Sequence, residues 1–402
     1  MKFLLRFPLA LIVLAQLCGT SLWFSPNSAA ESLSSEWGLT TAQFGQLTGA
    51  TQIGFILGSL VLAASGAADR YPASKIFARA SYIGAILNAW FALFATDFSQ
   101  GIAIRFAVGI CLAGIYPLGM KMVIGWSQAG AGATLGLLVG MLTLGTALPH
   151  AVRAVGGDLS WHGVVLASSI LAVAGGALLQ ALGDGPYLPP AKAKKTRWGG
   201  ALNAFKGSEF RATALAYFGH MWELYAFWTL VPFFVNELIR KSDYFTGVKN
   251  IATPAISFAI IGIGALGSVI AGKLSKHVGS PVVAAVSLGI SGSMCLAYPF
   301  ARPFGVLLCI PVLVIWGLTV IADSAQFSAV SAKACPSELV GGALAIQNSI
   351  GFLITVFSIT LVTQSFTSIG VAVAWYLLPG PLIGLACFIP VVLGFRSSKQ
   401  KN

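Results

Sequence analysis

The stretch Ser65-Gly66-Ala67-Ala68-Asp69-Arg70-Tyr71-Pro72 is a short polar turn between two long apolar runs. At an offset of 207 residues, Gly272-Lys273-Leu274-Ser275-Lys276-His277-Val278-Gly279 forms a second such turn between two more. Outward from this pair, other anchors repeat at nearly the same distance. Gly109 and Gly114 match Gly317 and Ala322 at an offset of 208, and Trp23 matches Trp228 at 205. Three anchors that agree within three residues indicate a chain whose halves repeat each other, an internal symmetry found in polytopic membrane proteins.

Composition supports a chain immersed in lipid. Of 402 residues, 56% are hydrophobic and only 9% charged, against roughly 25% charged in soluble domains. A span needs about 20 mostly apolar residues. First-half spans are predicted near 7–27, 43–64, 76–96, 101–124, 133–152 and 162–183. Second-half spans are predicted near 211–235, 252–272, 281–300, 304–325, 339–362 and 371–395. The expected fold class is therefore an all-α membrane protein of twelve transmembrane helices in two pseudo-symmetric six-helix halves. The halves are residues 1–183 and 211–402, joined by a linker over 184–210 that holds Pro186, Pro189, Pro190, Lys192, Lys194, Lys195 and Arg197. The 46 glycines suit close helix packing, and Gly132, Gly136 and Gly140 form a stripe of small residues in span 5.

The net charge of +12 sits in short loops, where it sets topology rather than binding nucleic acid. With the N-terminus inside, most basic residues fall on the cytoplasmic side, including the linker cluster. Both termini are therefore expected in the cytoplasm of a cell bounded by an inner membrane. Lys2 and Arg6 before an apolar run resemble a signal peptide. The run continues to Trp23-Phe24 and has a counterpart in the second half, so it reads as span 1. The six cysteines show no CxxC pairing and read as packing residues. No metal spacing and no phosphate loop occur, so neither an enzyme nor a nucleotide-driven pump is expected.

The turn with Asp69-Arg70 resembles the signature loop between spans 2 and 3 of the major facilitator superfamily, with Ser65 and Pro72 standing where that pattern has glycines. The resemblance implies that Asp69 and Arg70 help hold the cytoplasmic gate. Arg105-x-x-x-Gly109 with Gly114 and Pro117 is similar to the family's span-4 motif, which implies a membrane arginine tied to proton coupling. Snorkelling of Arg105 to the interface is the plainer alternative. The family's Gly-Pro antiporter signature is missing from span 5, so antiport does not follow. The resemblance also implies a central cavity among spans 1, 4, 7 and 10.

Ionisable residues inside a membrane are functional candidates by default. Glu223 stands mid-span in His220-Met221-Trp222-Glu223-Leu224-Tyr225, near the bilayer midplane. His220, three residues earlier, lies on nearly the same face. The pair is the expected proton-coupling site. Asp323 is expected to line the cytoplasmic half of the cavity, to pair with Lys121, or to act as a local cap. Arg105, Trp222, Tyr225, Gln16 and Tyr116 complete the cavity candidates. Trp23 and Trp228 read as part of the interfacial aromatic belt, and Gln347 and Asn348 as cavity or helix-bridging groups.

The expected function is secondary active transport of a small molecule by alternating access, coupled to protons. The protein is expected to work as a monomer in membrane lipid, without a cofactor. The cargo is open: a small organic anion drawn by Arg105, His220 and Lys121, or amphipathic compounds exported by proton antiport. A non-transporting sensor with the same fold is a third alternative, and should carry a soluble domain.

Overall fold

A computed structural model describes residues 7–126, 131–156, 159–187, 202–335 and 339–400. The linker cluster Lys192–Arg197, Lys2, Arg6 and the side chain of Asp69 lie outside the described residues, as do the surroundings of Gly132.

Among the described residues all regular structure is helical. Span 1 is Pro8–Thr20, followed by turns and a helical turn at Asn27–Ala29; a short helix Ala30–Trp37 leads to span 2, Thr41–Ser65. Span 3 is Ala73–Phe94, span 4 is Phe98–Ala113 continued by Tyr116–Trp126, span 5 is Ala131–Val155 and span 6 is Trp161–Leu182. Span 7 is Ser208–Arg240, span 8 is Lys249–Val278 and span 9 is Ser280–Ala301. Span 10 is Val306–Thr319 continued by Ser324–Lys333, span 11 is Val340–Ile369 and span 12 is Pro379–Gln400. Among the described residues nine segments are long and apolar enough to cross a membrane, one of which, Gly342–Phe395, takes in most of spans 11 and 12. Span 1 is shorter, and span 7 carries the polar residues discussed below; these two complete the twelve.

The repeat is visible in where helices begin. Spans 2 and 8 start at Thr41 and Lys249, spans 3 and 9 at Ala73 and Ser280, spans 4 and 10 at Phe98 and Val306. Local chemistry fixes these starts. Thr40 and Gln43 form a reciprocal capping box ahead of span 2. Gly66, at φ 64°, ends span 2 in the left-handed conformation that a side chain resists.

Three spans are broken, which helical periodicity does not reveal. Span 1 unwinds after Thr20. Ser25 precedes Pro26, and a residue before proline is pushed out of the helical region. The Thr20 and Ser21 hydroxyls turn back on the Gln16 and Cys18 carbonyls at 2.8 and 2.7 Å. Span 4 breaks at Gly114 and Ile115, because Pro117 has no N–H to donate to the Ala113 carbonyl. Span 10 breaks over residues 320–323, the position that the repeat relates to the span-4 break.

The halves meet where span 2 packs on span 11 and span 5 on span 8. The span-5 glycines make the second contact. A Cβ on Gly140 would lie 3.2 Å from the Ala265 carbonyl oxygen, and one on Gly136 3.4 Å from that of Ser268. Gly140→Val is therefore expected to lower the monodisperse fraction in detergent severalfold. Gly394→Val is the matched control, since nothing lies within 4 Å of a Cβ there. Equal size-exclusion profiles for the two variants would show that the glycine contact is dispensable.

Candidate functional site

An even number of spans places residues 7, 187, 202 and 400 at one end of the bundle, here the terminal end. A cavity of about 70 Å³ lies between the halves on the terminal side of the helix breaks. Tyr116 and Met120 reach it from span 4, Tyr217, Met221, Leu224 and Tyr225 from span 7. Ser324 and Ser328 of span 10 and Asn348 and Phe352 of span 11 close the ring. The span-7 residues recur at helical spacing and form one stripe.

Above the cavity, toward the far end, the unwound part of span 1 inserts Trp23 and Phe24. Trp23 meets Phe55 of its own half at 4.9 Å, and Tyr225 and Phe352 of the other half at 5.7 Å each, between ring centroids. Phe24 packs on Tyr225 and Trp228 at 6.2 and 6.1 Å. Each such ring pair adds about 0.5–1.5 kcal/mol beyond burial. Nearer the far end, Gly45 lets Thr363 close against span 2, and Arg240 lies 3.7 Å from Glu31 across the halves. That ion pair is two-thirds exposed and contributes little. Trp23 and Trp228 are thus core residues, 0% and 1% exposed, and not the interfacial belt expected from their place in the chain.

Arg105 is 1% exposed and neither faces the cavity nor snorkels. Its Nη2 donates to the carbonyls of Leu22 and Trp23 at 3.0 and 2.6 Å, Nη1 to Asn88 Oδ1 at 2.9 Å, and Nε to Thr51 Oγ1 at 3.2 Å. Unwinding span 1 strips carbonyls of their helical partners, and a guanidinium supplies several donors in a fixed fork. Arg105 is the counterpart of that break. Asn88 carries the network on, donating to Val165 O at 2.9 Å and Ser169 Oγ at 3.0 Å and accepting from Ser25 Oγ at 3.0 Å.

In the second half, His220 and Glu223 do not pair with each other. His220 Nδ1 lies 2.8 Å from Asp323 Oδ1, both side chains being 0% exposed. This pair ties span 7 to the break of span 10, between residues that line the cavity. Glu223 is turned toward spans 9 and 10. It accepts from Trp316 Nε1 at 2.6 Å, Ser291 Oγ at 2.9 Å and Cys295 Sγ at 3.3 Å. Helical spacing explains the split: Glu223 lies roughly 150° around span 7 from the middle of the cavity stripe, and His220 only about 90°.

Other candidates separate in the same way. Tyr116 and Tyr225 line the cavity, as expected. Trp222 does not: half-buried, it donates to the Tyr376 carbonyl at 2.9 Å, beside span 12. Gln16 is fully buried with its amide against Gly119, at the contact of spans 1 and 4, and is not a lining residue. Lys121 donates to the Ala68 carbonyl, and Asp323 faces His220 in its place. Asn348 lines the cavity, whereas Gln347 is fully buried beside it. Arg70 is exposed.

Asp184, Asn88, Ser291 and Trp316 were not legible as site residues. Asp184 accepts from the N–H groups of Ala73 and Ser74 at 2.9 and 2.8 Å, capping span 3. Asn88 had a signal: 207 residues on, Cys295 sits at the matching place and touches Glu223.

A family model described as Major Facilitator Superfamily matches residues 11–359. None of the curated proteins matches the sequence significantly. Among solved structures, a mutant of the nucleoside transporter NupG is similar at a TM-score of 0.71 and 15% identity. The match covers 98% of this chain and 99% of that one, and at that identity it speaks for the fold alone. With a match over most of its length and a twelve-span architecture to go with it, the chain belongs to the major facilitator superfamily, whose members are secondary transporters of the membrane.

Proposed function

We propose that this protein is a proton-coupled transporter of a small molecule, working by alternating access in the inner membrane with both termini in the cytoplasm. The central cavity is the cargo site, and the aromatic closure around Trp23 is its outward gate. The cytoplasmic gate includes the turn at Asp69 and Arg70 and the cap at Asp184.

The observation that carries the reading is the buried pair His220–Asp323, with 2.8 Å between Nδ1 and Oδ1. It joins two cavity-lining helices at a break in one of them. A carboxyl and an imidazole facing each other out of water exist either as an ion pair or, sharing the proton differently, as a neutral pair. Rocking one half against the other changes the water around them and thus which form prevails. Tyr217 packs on His220 with ring centroids 5.8 Å apart, and Glu223 follows His220 by about one turn of the same buried helix. Glu223 is therefore the second acidic group of the coupling set.

The test is made on proteoliposomes exposed to a metabolite mixture, with retained solutes read by mass spectrometry, so that the cargo need not be chosen in advance. At least one solute should accumulate under an imposed pH gradient and equilibrate without it. Retention equal to protein-free liposomes would defeat the transport assignment. Accumulation indifferent to collapse of the gradient would defeat the coupling.

A further inference from the structure

We propose that the cargo is an uncharged, planar solute bearing hydrogen-bond acceptors, held between aromatic faces in the central cavity. This rests on the cavity being the transport site.

The lining of the cavity contains no Lys, Arg, Asp or Glu among the described residues. Its chemistry is that of the Tyr116, Tyr217, Tyr225 and Phe352 rings with the neutral polar ends of Ser324 and Asn348. The charged side chains buried among the spans are engaged elsewhere. Arg105 is spent on neutral acceptors in the first half. Glu223 is held by donors from spans 9 and 10, and Asp323 faces His220. A charged cargo would leave water for a chamber that offers no counter-charge, a steep penalty. An uncharged one loses only hydrogen bonds, and hydroxyl and amide groups can replace those. This weighs against the organic anion expected from Arg105, His220 and Lys121.

A second observation comes from the outward continuation of the path. Trp23 Nε1, Trp228 Nε1 and both ring nitrogens of His150 are buried without a hydrogen-bond partner among the described residues. Native proteins leave few such groups unsatisfied. Trp228 continues the span-7 cavity stripe of Met221, Leu224 and Tyr225, and His150 lies two turns beyond Leu142 on the cavity face of span 5. Indole N–H is a donor only. A cargo rising through the opened gate must therefore present acceptor atoms. Planarity follows from the ring arrangement. Trp23 and Phe352 are stacked at 5.7 Å, and Phe24 and Tyr225 at 6.2 Å. Parting stacked rings opens a slot that a flat molecule fills from both faces.

The test is a thermal-shift titration of the purified full chain with compounds matched in shape and differing in charge. The probes are nicotinamide against nicotinate and protonated 3-(aminomethyl)pyridine, uridine against uridine 5′-monophosphate, and mannitol as a neutral non-planar control. Ligands that bind the folded state raise its melting temperature. A neutral planar probe should bind at least about tenfold tighter than its charged partner, a free-energy difference of about 1.4 kcal/mol. Asn348→Ala, and separately Tyr225→Leu, should weaken that binding about tenfold without lowering the ligand-free melting temperature of at least one of the two. Equal or tighter binding of a charged probe or of mannitol overturns the inference. So does the failure of both neutral planar probes at millimolar concentration. The same compounds in proteoliposomes under a pH gradient separate this inference from the functional reading. Binding of the neutral probe without gradient-driven uptake sinks the coupling and leaves the cargo class standing. Gradient-driven uptake of the charged partner does the reverse.

Discussion

Arg105→Leu is expected to cost roughly 3–5 kcal/mol of stability and to open the outward gate. The substitution removes one cation, leaves the Leu22 and Trp23 carbonyls without their donor and leaves Asn88 Oδ1 with Ser25 Oγ alone. Inside a bilayer no water replaces it. The free carbonyls should draw the unwound segment of span 1 into another arrangement, and Trp23 with it. Arg105→Lys should recover only part of the loss, because one ammonium cannot reach four acceptors on three helices. The measurement is thermal unfolding in detergent, together with alkylation of a cysteine placed at Ser324, in the cavity beneath the gate. Faster alkylation in Arg105→Leu at equal expression is the expected result. Wild-type melting and wild-type alkylation in Arg105→Leu would reduce the network to an incidental contact.

The second large effect is expected at the His220–Asp323 pair. A gradient of one pH unit holds about 1.4 kcal/mol per proton, enough for about tenfold accumulation. Asp323→Asn keeps the size of the side chain and removes the carboxyl that faces His220. Accumulation should collapse to equilibration, while exchange of cargo down its own gradient persists. His220→Ala should shift the pH dependence of transport rather than abolish movement of cargo. Glu223→Gln keeps an acceptor for Trp316 and should reduce accumulation less than Asp323→Asn does. The reverse order, with Glu223→Gln uncoupled and Asp323→Asn intact, would move the coupling site one turn along span 7, to the carboxyl that its depth in the span singles out.

How far the chain is legible in its sequence depends on the kind of question. Spans 2, 3, 5, 6 and 9 are legible to within a few residues because their apolar runs end at polar turns such as Thr40 and Asp69-Arg70, whereas span 8 runs on through the expected turn to Val278. The breaks in spans 1 and 10 are not legible, because the few polar residues there, such as Ser21 and Asp323, sit within apolar runs long enough to read as one continuous helix. The break in span 1 also misplaces Trp23. Counted along an unbroken helix it belongs near the interface, whereas the turn at Ser21 swings it into the centre. The depth of Glu223 and His220 follows from span 7 alone. Their partners do not, since spacing along one helix says which residues share a face but not which neighbour that face meets. Asp323 is 103 residues from His220 in the chain, and only the packing of span 10 on span 7 joins them.

The contact between spans 5 and 8 has a mechanical side. Around Gly136 and Gly140 the two helices touch through main chain, with Ala265, Ser268 and Gly272 opposite. Interlocking side chains act like gear teeth: turning one helix against another requires rotamers to jump together. Where Gly136 and Gly140 meet Ala265 and Gly272 the face has no teeth. It lets the helices roll like smooth shafts while staying in van der Waals touch, so a tilt of one half costs little at this joint. The seal between spans 2 and 11 is of the other kind, with Phe55 seated against Phe352 at 4.5 Å, and must unlock side chain by side chain. One flank of the molecule thus meets as a bearing and the other as a clasp.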